Sequence, residues 1–118
     1  MAAALIKRKS HTLWKCDALL STPQKMKGLM FKQKTVPLFF VFDAEATFSN
    51  AIHSFFCPPF DAVFLDEHKR VVDVRKNITP WKAWIAPKKP AKYLLELPAG
   101  DASRKRVREG ETLTIVLK

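Results

Sequence analysis

Glycine is scarce in this chain, three residues in 118 against eight prolines. That excludes a fold whose reversals depend on Asn-Gly or Gly-Gly hairpin turns, and hands the turns to Pro, Asp and Asn. Tyrosine is almost missing, one against nine Phe and three Trp, so most of the aromatic surface has no hydroxyl to satisfy and belongs in a core. The two cysteines, Cys16 and Cys57, show no metal or redox spacing. Each stands beside apolar or aromatic residues, where a buried free thiol is the commoner state, though spacing alone leaves a disulfide between them open. No hydrophobic run approaches a membrane span, and MAAALIKRK is too soon charged for a secretory signal, so the sequence reads as cytoplasmic with no membrane association. Also missing are a phosphate loop, a dinucleotide fingerprint, a nucleophile elbow and a paired carboxylate block. Those absences weigh against an enzyme, and no cofactor or metal is expected.

What remains is ordinary for a folded domain: 47% hydrophobic and 27% charged residues exclude a disordered chain. The length suffices for one core and not for two. Residues 1–10 read as a basic N-terminal segment and residues 11–118 as a single β domain. The net charge of +10 is unevenly spread. Residues 1–35 carry eight Lys/Arg and one acid, residues 36–66 carry four acids and no Lys/Arg, and residues 67–118 carry thirteen Lys/Arg and six acids. An acidic, aromatic-rich middle between basic flanks implies a buried central sheet with basic material around it, and such a field attracts polyanions non-specifically.

Along the chain, HTLWKCDALL (11–20) is long enough for a strand. STPQKMKGLMF then carries a short helix signal, with Thr22 to cap, Pro23 at the first helical position and Gly28 to end it. PLFFVF (37–42) is a continuous apolar run, as in a strand buried on both faces. Residues 51–56 and DAVFL (61–65) are two further apolar segments, parted by Pro58-Pro59, which force a bend or edge. Asp66-Glu67-His68-Lys69 has the composition of a hairpin turn into RVVDVRK. Residues 77–90, rich in Pro, Trp and Lys, read as an ordered loop. KYLLEL (92–97) is a strand, Pro98-Ala99-Gly100-Asp101 turns into a basic helix running through Val107, and ETLTIVL (111–117) is the last strand. The pattern predicts a mainly β fold, a small sandwich or partly closed barrel of about 6–8 short strands with two short helices.

The order of motifs resembles the prokaryotic family known as domain of unknown function 192. The similar segments are GLMF at 28–31 followed by Lys32, the apolar strand at 38–42, the block IHSFFCPPFDAVFLDEHKRVVDV at 52–74, Pro80-Trp81, AKYLLELPAG at 91–100 and GETL at 110–113. Within the central block His53, Ser54, Pro59 and Asp61 fall on the family's pattern. Cys57 stands where Met is usual and Pro58 where a basic residue is usual, so any anion contact made by that residue in relatives is lost here. The resemblance implies a small β domain and brings no reaction with it.

His53 is the most suggestive single residue, since imidazole can give and take a proton near neutrality. A half-buried histidine that keeps a strand in register is the simpler reading. Asp61 can orient His53, or it can accept backbone N–H groups, which the sequence favours. Trp81 and Trp84, beside Lys82, Lys88 and Lys89, make the better binding candidate. The loop is expected to fold over the end of the sheet and bury both indoles as a plug; the alternative is a platform on which a sugar face, a base or a proline stacks. The sequence therefore favours a non-catalytic domain that binds a small polar, sugar-like or peptide ligand at one end of the sheet, using His53, Phe55, Asp61, Trp81 and Trp84. The second reading is non-specific nucleic-acid association through Lys82, Lys88, Lys89, Arg104, Lys105, Arg106 and Arg108. A third is hydrolase or isomerase chemistry using His53 and Asp61.

Overall fold

The computed structural model describes residues 2–19, 33 and 35–118. Seven strands make one sheet: β1 (Ala3–Arg8), β2 (His11–Leu19), β3 (Leu38–Ala46), β4 (Phe60–Leu65), β5 (Val71–Ile78), β6 (Ala91–Pro98) and β7 (Thr114–Leu117). A single helical turn, α1 (Asp101–Arg104), lies between β6 and β7. The spatial order is β5-β4-β6-β3-β2-β1-β7. Neighbours are antiparallel except β2 and β3, which run parallel with Ala18 opposite Phe39. The sheet is not closed, but its edges approach each other. Just before β7, Gly110 and Leu113 donate to Val71 and Lys69 carbonyls, and Val71 donates back to Glu111.

The apolar runs become strands buried on both faces, as parallel or central strands require. Along β3, β4 and β6 successive side chains enter two different layers. Phe39, Val63, Leu95 and Leu97 join Ile6, Trp14, Cys16 and Leu113 in the first. Leu38, Phe40, Ala62, Phe64 and Leu94 join Cys57, Ile78 and Ile85 in the second.

Four details correct or complete the sequence expectations. The stretch read as a basic N-terminal segment contains β1, whose Ala4 and Ile6 are buried. Residues 51–56 are not a strand; they form a loop joined to its neighbour by one bridge between Ile52 and Ile85. The basic helix stops at Arg104, because Arg106 turns into the left-handed region (φ 55°) before Val107 packs back into the first layer. The other expected helix, with Thr22, Pro23 and Gly28, lies outside the described residues.

The β4–β5 hairpin forms where expected. Asp66 closes it by accepting the backbone N–H of His68 (2.9 Å) and of Arg70 (3.0 Å), a local bond that suits Asp to turns.

Candidate functional site

Two loops cover the second layer. Residues 47–59 connect β3 to β4, and residues 79–90 connect β5 to β6. They lie side by side like a short ladder, with Ile52 N–H donating to Ile85 O (2.9 Å), Ile85 N–H to Ile52 O (2.8 Å) and Ser54 N–H to Lys82 O (2.9 Å). Ser54 is the staple. Its buried hydroxyl donates to Thr79 O (2.7 Å) and accepts from Lys82 N–H (2.8 Å). Its carbonyl accepts from Trp81 and Cys57 N–H, each at 3.2 Å.

This arrangement brings His53, Phe55, Trp81 and Trp84 onto one pair of loops. His53 Nδ1 accepts from the Phe55 N–H at 3.1 Å, which puts the proton of a neutral ring on Nε2. The His53 and Phe55 rings lie 5.2 Å apart, Phe55 and Trp81 6.2 Å apart, and Phe56 meets Trp81 edge-on at 4.9 Å. Trp81 and Trp84 are each 63% exposed and Phe56 50%. The expected burial of both indoles is therefore corrected: both face solvent, and Ile52 and Ile85 pack into the second layer instead. Trp81 and Phe56 both sit in the left-handed region, at φ 73° and 58°, which costs a bulky residue about 1–2 kcal/mol. Pro80 before Trp81 sets up a turn whose next position ordinarily takes glycine. The hydrogen bond from its backbone N–H to the Ser54 carbonyl holds the Trp81 backbone there.

Asp61 does not join this group. Its side chain is fully buried on the opposite face, where Oδ1 accepts from Asn77 N–H (2.8 Å) and Oδ2 from Gly100 and Ala102 N–H (3.0 Å each). Gly100 takes φ 96° to present its N–H, a conformation open to glycine alone without strain. A carboxylate occupied by three backbone donors has no contact with His53, so the geometry gives the proposed His53–Asp61 acid–base pair no support.

One residue of consequence went unread in the sequence. Glu96 on β6 is only 5% exposed. It stands opposite Leu38 on β3 and Ala62 on β4, and so faces the second layer. Burial pushes its carboxyl up to about 8. Its charge and burial together push the neighbouring Cys57 thiol up to about 11, burial being the larger cause. Cys57 Sγ also donates to Phe55 O at 3.3 Å. Cys16, in the other layer, is likewise a free thiol, raised to about 12 mainly by burial. Burial thus favours the protonated thiol in both cysteines at neutral pH. The signal for Glu96 was present as an acid interrupting the apolar run LLEL. Among the described residues, no three His, Cys, Asp or Glu side chains are grouped as a metal site requires.

The basic residues of the second reading lie on two segments, 82–89 and 104–108. Lys82 is exposed on the aromatic loops. Lys88 pairs with Glu109 at 2.6 Å, one residue after Arg108. Arg104 pairs with Asp101, and Lys105 is half-buried with its carbonyl accepting from Arg8 (2.8 Å). No helix among the described residues is long and apolar enough to cross a membrane.

Solved structures share this architecture. A protein of unknown function from Novosphingobium aromaticivorans superposes with a TM-score of 0.80 at 18% identity, covering 95% of this chain and 83% of that one. A putative transcription regulator from Sinorhizobium meliloti gives 0.81 at 23% identity, covering 96% and 91%. At those identities the likeness is one of fold. Sequence relatives are nearer. The UPF0127 protein of Pyrococcus furiosus is 34% identical over 76% of this chain and 77% of its own length, and that of Pyrococcus abyssi 38% over 71% of each. The UPF0127 protein of Pyrococcus horikoshii is 42% identical over 62% of this chain, which spans 63% of that relative. With the model of the uncharacterized ACR family DUF192 matching residues 5–115, the chain belongs to DUF192.

Proposed function

We propose that this domain is a non-catalytic binding module whose site is the aromatic surface formed by residues 52–57 and 79–85. Its ligand is a small polar molecule with an apolar face, sugar-like or a segment of peptide. One observation carries this reading: two indoles are mostly exposed on a backbone strained to present one of them. The same chain buries Phe39, Phe60 and Phe64 almost completely, so its aromatics are not exposed for want of a core. An exposed aromatic cluster with a polar rim is the usual form of a recognition surface. The test is a tryptophan-fluorescence titration with oligosaccharides and short peptides. Trp81→Ala is expected to weaken binding about tenfold or more, as loss of one stacking partner does, and to leave the thermal midpoint in place. Unchanged affinity, or a large loss of stability, counts against the reading.

The Lys88–Glu109 pair favours a second reading, because it ties the 79–90 loop to the segment that follows α1, and both carry basic residues. Nucleic acid would then bind through Lys82, Lys88, Lys89, Arg104, Lys105, Arg106 and Arg108. Anisotropy of a labelled single-stranded RNA checks it: counterion release makes such binding collapse as salt rises. Binding that survives near-physiological salt would put nucleic acid ahead of the aromatic site.

A further inference from the structure

The seven-stranded sheet has two outer strands, β5 and β7, and they are finished differently. Along β5, Asp73, Arg75 and Lys76 put charges on the strand. The loop that follows is tied against it, with Arg75 Nη2–H donating to Ala86 O (2.8 Å) and Lys88 N–H to Asp73 Oδ2 (3.1 Å). Charge and cover are the usual guards of a strand edge. Among the described residues β7 has neither. Residues 112–117, TLTIVL, hold no ionisable side chain in a chain of net charge +10. Val116 is 36% exposed and Leu117 53%. Alternation fixes which backbone groups line this edge. Lys118 N–H donates to Ala3 O (2.8 Å) and Ala3 N–H to Lys118 O (3.4 Å), so the even-numbered residues of β7 turn their N–H and C=O towards β1. The odd-numbered ones turn outwards. Just before β7, Leu113 donates outwards to Lys69 O at 3.0 Å. The β4–β5 hairpin reverses there, at Asp66–Lys69, and β7 runs on past the turn. Ile115 and Leu117 therefore present N–H and C=O groups that no described residue pairs. They stand opposite the buried Ile6 and Ala4 of β1, and so lie on the first-layer face, where that layer runs out at Leu117.

We infer that β7 is a docking edge for a second copy of this chain, the two β7 strands meeting antiparallel about a twofold axis at Val116. A row of unpaired backbone groups is completed by another strand, and the sequence of β7 suits its own. A twofold axis perpendicular to the sheet keeps each residue and its symmetry mate on one face, so residues of like parity must pair. Centred at Val116, the axis sets Val116 against Val116 and Ile115 against Leu117 of the second copy. Ile115 and Leu117 are the outward-facing residues, so each such pair exchanges both N–H···O bonds, and every outward group of the two is satisfied. The first layer then continues across the join, with Ile115 of one copy covering Leu117 of the other. No charge stands between residues 112 and 117 to oppose it. A strand this short buries far less than the roughly 1,600 Å² of a lasting interface. The association is therefore a reversible one between monomer and dimer, and the net charge of each copy works against it.

The experiment is sedimentation velocity of the full chain from about 10 µM to about 1 mM, at low and at high salt. The average mass is expected to climb from monomer towards dimer with concentration, and to climb further in high salt, which screens the mutual repulsion. Val116→Lys and Val116→Glu each set like charges against one another at the axis and should weaken self-association about tenfold or more. An equimolar mixture of the two should recover it, which a variant that had merely lost its fold could not do. Hydrogen exchange reads the same contact at the backbone. The Ile115 and Leu117 amides should exchange more slowly as concentration rises, while the Val116 amide, which faces β1, changes little. A chain that stays monomeric over the whole range, a dimer that dissociates as salt rises, or self-association that Val116→Lys leaves untouched overturns the inference. So does a dimer in which exchange at Ile115 and Leu117 is unaltered.

Discussion

Asp61 and Glu96 are two buried carboxyl groups one step apart in register on paired strands, Asp61 opposite Leu97 and Glu96 opposite Ala62. Alternation sends them to opposite faces of the sheet. On the first face Asp61 meets three backbone N–H groups, which fasten β5, the turn at Gly100 and α1 to β4. On the second face Glu96 meets Leu38, Ala62 and Cys57 and no described donor. Depth of burial is therefore a poor guide to what a charged residue does. The donors that surround it among the described residues are what set Asp61 apart from Glu96.

The comparison can be broken or sharpened by substitution. Asp61→Ala takes the acceptor from three backbone N–H groups, that of Ala102 buried and those of Asn77 and Gly100 partly so, and chemical denaturation should show a loss of about 3–5 kcal/mol. A loss under 1 kcal/mol would erase the distinction between the two faces. Glu96 should act with the opposite sign and through pH. Below its ordinary value of 4.5 both folded and unfolded chains hold the proton. Between 4.5 and about 8 the unfolded chain releases it and the folded chain keeps it, so stability falls as pH rises, and above that window the full cost of a buried charge is present. Glu96→Gln should remove this slope and stabilise the domain in mild alkali by on the order of a few kcal/mol, read as thermal midpoints across pH. Ser54→Ala, which frees the Thr79 carbonyl and the Lys82 N–H, should cost about 1–3 kcal/mol and loosen the Trp81 loop, seen as faster fluorescence quenching.

Smaller effects follow on the first face. Arg8 grips both carboxylate oxygens of Glu111 at 2.8 Å, and the hydrogen bond from Arg8, together with its charge, holds Glu111 below the usual carboxylate range. Its contribution is present above the ordinary carboxylate value and is lost as pH falls through the lowered one. Glu111→Gln should cost about 1–2 kcal/mol at neutral pH in urea titrations, and progressively less in acid. Smallest of all, Trp81→Gly should shift stability by no more than about 1 kcal/mol, because relief of the left-handed strain offsets the lost ring contact with Phe56.

Much of the fold was legible in the sequence because binary pattern and turn chemistry are local. The runs LFFVF and DAVFL, the DEHK turn and the strand YLLEL appear where their composition places them. The misses share a cause in tertiary context. Residues 51–56 are as apolar as a strand, yet they form a cover over the second layer instead of pairing in the sheet. Strand β1 hides in alanines and lysines, since Ala4 needs no bulk to be buried against β2 and β7. The exposure of the indoles could not be read from the local sequence, because the Trp81 loop is held by Ser54, more than twenty residues away. Glu96 escaped notice because an acid within an apolar strand ordinarily marks a solvent-facing position, whereas here both faces of β6 are covered.

The pairing of β1 with β7, and of Arg8 with Glu111 103 residues later, has a kinetic consequence. On a ribosome the outer flank of β1 must wait for nearly the whole domain to be synthesised before it finds its mate. Closing so long a loop is entropically slow, and a sheet dominated by such pairings folds late and on the slower side for its size. Until then the exposed flank of β1 is an open strand edge, and the nascent chain depends on its many lysines and arginines to keep that edge from meeting another copy.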